Sequence, residues 1–147
     1  MEKAQELGLP VKFWNPLQKG ETVEWEGETY YPEMVMGEPR KGLKVCYVTD
    51  TRPTASIVEG AQGADLFICE GMYGEPGSEE RAAEHKHMCF AEAGRLAAKA
   101  QPKEMWLTHY SPSLNKPEEF LWVAQAEFAN TKAAVDGMST TLRFEEE

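Results

Sequence analysis

Histidine and cysteine are scarce in this chain of 147 residues, which has three of each. The cysteines, Cys46, Cys69 and Cys89, are odd in number and show no C-x-x-C spacing, so they read as reduced thiols of a cytoplasmic protein. Basic residues are also few, 15 against 25 acidic, and the net charge of -10 argues against the basic patch with which nucleic-acid binders displace counterions. No apolar run approaches the ~20 residues of a bilayer-spanning helix. Met1-Glu2-Lys3-Ala4-Gln5 lacks the apolar stretch of a secretory signal, so membrane insertion and export are both disfavoured. Missing too are G-x-G-x-x-G, a Walker loop, H-E-x-x-H and G-x-S-x-G, which removes the common nucleotide, zincin and hydrolase-elbow routes. What is present is globular: 41% hydrophobic, 10% aromatic and 27% charged residues, in a length that suits a single domain with one core.

The chain changes character near residue 42. Residues 1–42 hold four prolines, Pro10, Pro16, Pro32 and Pro39, and two short alternating segments, Thr22 to Trp25 and Glu28 to Tyr31, that flank Glu26-Gly27 as a β-hairpin. This stretch reads as an N-terminal extension. From 43 to 144 the pattern is that of a βαβ core. Leu43 to Val48 and Ala64 to Cys69 read as buried strands, with a helix over Ala55 to Ala61 between them. After a polar, Gly-rich loop, helical spacing runs over Glu79 to His85 and Phe90 to Ala100, with Pro102 as a stop. Glu104 to Thr108 is a third strand, and a helix from Pro117 to Phe128 starts with proline in its first turn. Thr131 to Val135 and Thr140 to Phe144 complete the sheet, and residues 145–147 form an acidic tail. Such alternation predicts an α/β layer with parallel core strands.

In open α/β sheets, residues just past the C-terminal ends of strands gather on one rim, where ligands bind. Asp50, Glu70, His109 and Asp136 each follow a predicted strand, and His87 lies in the helical connection that could reach the same rim. Each has a plainer reading. Asp50, within Thr49-Asp50-Thr51-Arg52-Pro53, suits a turn or helix cap; Glu70 suits an exposed loop, and His87 the polar side of a helix. Asp136-Gly137 is first a turn signal. His109 leaves a core strand, where an imidazole is well placed for a metal or for proton transfer. Cys89 stands two residues from His87, and helical geometry does not bring such positions onto one face, so a Cys/His pair is a weak reading.

Taken in order, Tyr47 to Pro53, Ala64 to Glu70, His87, Leu107-Thr108-His109-Tyr110-Ser111-Pro112 and Ala134 to Met138 resemble the C-terminal half of ribonuclease Z, a metallo-β-lactamase-fold endonuclease that trims the 3′ trailer from precursor tRNA. The likeness runs from the hairpin at Gly20 to Phe144. Its ordered spacings, 37 residues from Asp50 to His87 and 22 from His87 to His109, carry its specificity. The resemblance implies half of an αββα sandwich, a mixed sheet with parallel core strands and flanking helices. It implies that Asp50 bridges two Zn²⁺ ions, that His109 is a terminal metal ligand, that His87 protonates the leaving 3′-oxygen and that Glu70 orients His87.

The sequence departs from the family pattern in two ways. Where the family has His-Ser-Thr this chain has His87-Met88-Cys89, and where it has His-Glu-Ala-Thr this chain has Cys69-Glu70-Gly71-Met72, which bears on the hydrogen bonds behind the site and on substrate choice. The family's H-x-H-x-D-H metal motif is not among these residues, whose histidines are His85, His87 and His109. The resemblance therefore implies half of a zinc-dependent endoribonuclease, inactive alone. Its sheet face would be covered by an N-terminal half or by a second copy in a homo-oligomer, and the tRNA would be held largely by an exosite arm found elsewhere in the family. The alternatives are another hydrolase of the same fold and a non-catalytic interaction domain.

Overall fold

The computed structural model describes residues 2–38 and 41–144, so the acidic tail at 145–147 and Pro39 lie outside the described residues. The chain divides between Lys41 and Gly42 into two compact units. Where length suggests one core, each unit has a buried cluster of its own.

The first unit holds α1 (Glu2–Glu6), a 3₁₀ turn at Val11–Phe13, α2 (Trp14–Gln18), β1 (Val23–Trp25), β2 (Glu28–Tyr30) and α3 (Pro32–Val35). The hairpin forms as Glu26-Gly27 suggests. Both turn residues have positive φ, 52° and 82°, the backbone twist that a two-residue connection between antiparallel strands requires. Leu9, Leu17, Tyr30 and Val35 pack together with Trp14 and Trp25 against them, so this extension has a core of its own.

The second unit runs β3 (Val45–Val48), α4 (Ala55–Ala61), β4 (Leu66–Glu70), α5 (Glu79–Glu84), α6 (Phe90–Ala100), β5 (Met105–Thr108), a 3₁₀ turn at Pro117–Phe120, α7 (Leu121–Gln125) and β6 (Thr131–Ala133). Its four described strands are all parallel and lie in chain order, β3-β4-β5-β6; among the described residues the antiparallel pair is the hairpin of the first unit. Crossovers of one hand between sequentially ordered parallel strands place the helices on one face. The residues bear this out. Phe67, Cys69, Met105 and Leu107 face a core built with Ile57 and Ala61 of α4, Phe90, Leu96 and Ala97 of α6, and Val123 and Ala124 of α7.

Alternation puts Tyr47, Ile68, Trp106 and Lys132, which are register partners, on the opposite face. Here two expectations need correction. The segment from Leu43 is not a buried strand: β3 is a sheet edge, with Val45 54% and Tyr47 64% exposed and Cys46 only half-buried, because strand order gives it one neighbour and alternation turns Val45 and Tyr47 away from the helix-packed face. Thr140 to Phe144 do not complete the sheet either: among the described residues the sheet ends at β6, and 140–144 form no strand. The helix read from Pro117 to Phe128 is a 3₁₀ turn followed by the short α7.

Candidate metal centre

The parallel register aligns the C-terminal ends of β3, β4 and β5: Val48 pairs with Cys69, and Glu70 with Thr108. β3 and β5 are two strand spacings apart, roughly 10 Å. Side chains at their ends meet only if the backbone turns inward. It does so at Asp50 (φ 50°) and His109 (φ 59°), both in the left-handed region that aspartate and histidine enter more readily than most residues. Non-glycine residues held there carry strain, which tends to concentrate at functional sites. As a result Asp50 Oδ1 lies 3.3 Å from His109 Nε2, above the end of the intervening strand β4.

His87 completes the group. It is not in a helix, as the sequence suggests, but in the loop between α5 and α6, just after Lys86, another residue of positive φ (63°). Its Nδ1 stands 4.0 Å from Asp50 Oδ1, and its ring centroid is 5.4 Å from that of His109. One donor atom from each of Asp50, His87 and His109 falls within 4.8 Å of the others.

Beneath them sits Glu70, with a side chain of zero exposure, which overturns its reading as a loop carboxylate. Buried carboxylates are costly unless hydrogen-bonded. Glu70 is: Oε1 accepts the Thr51 N–H at 2.6 Å, Oε2 accepts the Met88 N–H at 3.0 Å, and His87 Nδ1 lies 3.2 Å from both oxygens. A carboxylate facing Nδ1 favours the tautomer with the proton there and leaves Nε2 as the other ring nitrogen.

Four of the five rim candidates thus assemble. Asp136 does not, because β6 lies a further strand spacing away and the chain turns there, with Met138 N–H bonded to the Val135 carbonyl at 3.0 Å and Gly137 at φ 80°. His85 is exposed and its Nδ1 lies 2.9 Å from the Arg81 carbonyl. Cys89 is no nucleophile candidate for a different reason than helical spacing: it is the buried residue that opens α6, and burial pushes its thiol up to about 11. At this cap Glu92 reaches back, its carboxylate accepting the Cys89 N–H at 3.1 Å. Arg52 and Glu92 escape sequence reasoning altogether, although Arg52 stands within the quoted strand-end segment. They form a bidentate pair behind His87.

Two imidazoles and a carboxylate are donors that zinc takes. The ring of His109 turns Nε2 to Asp50 at 3.3 Å, while its buried Nδ1 has no hydrogen-bond partner among the described residues. The set fits a divalent cation there. Three protein donors with water in the fourth position would suit one catalytic zinc, but with His87 Nδ1 turned to Glu70 the donors left are Asp50 and His109, fewer than one such ion uses and far fewer than two would.

No protein-family model matches the chain. It is 53% identical over 147 residues to the ribonuclease Z of Lachnospira eligens, covering all of this chain and 48% of that protein, and 50% identical over 144 residues to the ribonuclease Z of Lachnoclostridium phytofermentans, covering 98% and 47%. Among solved structures, the metallo-beta-lactamase fold protein YhfI from Bacillus subtilis superposes with a TM-score of 0.56 at 27% identity over 64% of this chain and 38% of that one. Human tRNase Z, short form, superposes at 0.55 and 23% identity over 70% and 34%. The chain spans about half the length of the curated relatives it matches.

Proposed function

We propose, from the premise that this chain belongs to the ribonuclease Z family and corresponds to its C-terminal half, that it supplies half of a zinc-dependent phosphodiesterase centre which, once complete, removes the 3′ trailer from precursor tRNA. The observation that carries the reading is the convergence of Asp50, His87 and His109 over the buried Glu70. Asp50 and His109 would hold zinc. When bound, zinc would polarise the phosphodiester as a Lewis acid and lower the pKa of its bound water toward neutrality. His87 would serve as general acid to the leaving 3′-oxygen from Nε2, while Glu70 accepts the Nδ1–H bond and holds the ring in place.

The remaining donors come from the complementary half of the fold, which also covers the outer sheet face at Val45 and Tyr47 or is replaced there by a second copy of this chain. The three free thiols suit a cytoplasmic setting, and no described helix is long and apolar enough to cross a membrane. Alone, the chain lacks enough donors to hold two ions and is inactive.

Metal analysis and precursor-tRNA cleavage test this on the chain alone and with a separately produced complementary half. The pair should cleave; Asp50→Ala and His109→Ala should abolish turnover, and His87→Ala should lower it by about 10²–10⁴-fold. Two zinc ions bound per isolated chain would overturn the reading. Cleavage of a generic phosphodiester but not of precursor tRNA would favour another hydrolase of this fold. Unchanged partner binding with no cleavage by any combination would favour an interaction domain.

A further inference from the structure

We infer that Arg52 is a positioning residue for His87, acting through the His87 main chain. Arg52 lies two residues beyond Asp50 and reaches 35 residues along the sequence. Its Nη1 donates to the His87 carbonyl. The same guanidinium forks onto Glu92, Nη1 to Oε2 at 2.9 Å and Nη2 to Oε1 at 2.5 Å. Glu92 is buried in the first turn of α6 and accepts the Cys89 N–H as well, so its position is set by the helix and not by Arg52 alone. A two-point ion pair to a fixed carboxylate gives the guanidinium a defined direction. The donor left over is aimed at the carbonyl of the histidine.

The need for such a device follows from where His87 sits. It belongs to no helix or strand, so no ladder of hydrogen bonds fixes its backbone. It is held by its own N–H to the Ala82 carbonyl at 2.9 Å, by its carbonyl to Arg52, and by the next N–H, that of Met88, to Glu70. Arg52 is the member of this set that also ties His87 to the Asp50 segment, whose Thr51 N–H binds the same Glu70. One run of three residues, Asp50-Thr51-Arg52, thereby supplies a donor of the cluster, a bond to the carboxylate beneath it and a clamp on the neighbouring loop. Misplacement of a reacting group by about an ångström can cost orders of magnitude in rate, so the clamp matters to chemistry and not only to folding.

The catalytic part of this inference rests on the function proposed above; the positioning part does not. Arg52→Lys keeps the charge and loses the fork, and Glu92→Gln keeps an acceptor for Cys89 while weakening the pair; one serves where the other fails to fold. Nuclear magnetic resonance of the full chain reads the positioning directly. With amide signals of β4, β5 and most of α6 unchanged, the His87 ring signals should shift and the cross-peak between the His87 and His109 rings should weaken or vanish. In the completed, cleaving protein, kcat should fall on the order of tenfold or more with KM within about twofold, and the same substitution should cost nothing further in a His87→Gln background. Unmoved His87 signals in both variants, a loss confined to KM, or full additivity with His87→Gln would overturn the inference. Should the wild-type pair fail to cleave RNA, the proposed function falls while the ring signals still decide the role of Arg52.

Discussion

Glu70 shows most plainly how a single residue organises this site. Its carboxylate accepts bonds from two segments that the chain brings to it from opposite sides, Thr51 after β3 and Met88 before α6, and from the His87 ring between them. In sequence it is only an acid preceding Gly71. Nothing local distinguishes a solvated loop carboxylate from one with zero exposure and three donors, because the difference lies in residues 17 to 19 positions away. A consequence can be measured. Glu70→Gln keeps the shape but replaces one acceptor oxygen with an amide that faces a donor, leaving a buried N–H unpaired. It should lower the unfolding free energy of the chain by about 1–3 kcal/mol, read from urea denaturation. An unchanged midpoint would mean that the carboxylate contributes nothing to holding the two loops.

At the scale of elements, the agreement with sequence is best where a pattern is long. α6, Phe90–Ala100, lies where its apolar periodicity places it, because eleven residues are enough to define a face. Short elements are decided by their neighbours. α7 stops at Gln125 after a 3₁₀ entry, packed against α6 so closely that a Cβ on Gly94 would lie 2.8 Å from the Ala124 carbonyl oxygen and 2.9 Å from Glu127 Cβ. Gly94→Ala sets two effects against each other. Alanine is better than glycine in a helix interior by about 1 kcal/mol, whereas overpacking against a main-chain atom costs roughly 1–3 kcal/mol. The backbone contact cannot swing aside as a flexible side chain would, so the second effect should win and thermal unfolding should move to lower temperature. A rise in Tm would show that α6 and α7 can separate freely.

The second unit packs its helices on one face of the sheet. On the other face Leu66 and Trp106 are buried while Val45 and Tyr47 of the edge strand β3 are exposed, an apolar edge that invites pairing. Light scattering at micromolar concentration should therefore show self-association of the isolated chain. Tyr47→Lys should shift it toward monomer while changing stability by no more than about 0.5 kcal/mol, the usual range for an exposed position. A wild-type chain that stays monomeric would sink the idea that this face needs a cover. The net charge of -10 fits the same picture: a chain this acidic is poorly equipped to hold RNA unaided, and in the proposed function most of that work falls outside it.

The parallel α/β core, and the places along the chain where chemistry sits, follow from sequence because each is a local property. Runs of apolar residues make Leu66–Glu70 and Met105–Thr108 strands, and whatever follows a strand end is delivered to the rim, as Asp50 and His109 are. Convergence is not local. Whether Asp50 meets His109 while Asp136 is left out depends on strand order and on two left-handed backbone turns. The same holds for Arg52 and Glu92, joined across 40 residues, and for the exposure of β3, whose apolar run reads as buried until its place at the sheet edge is known. Hydrophobic pattern and turn chemistry act over a few residues, whereas a distance of 3.3 Å between side chains 59 positions apart is set by the packing of everything between them.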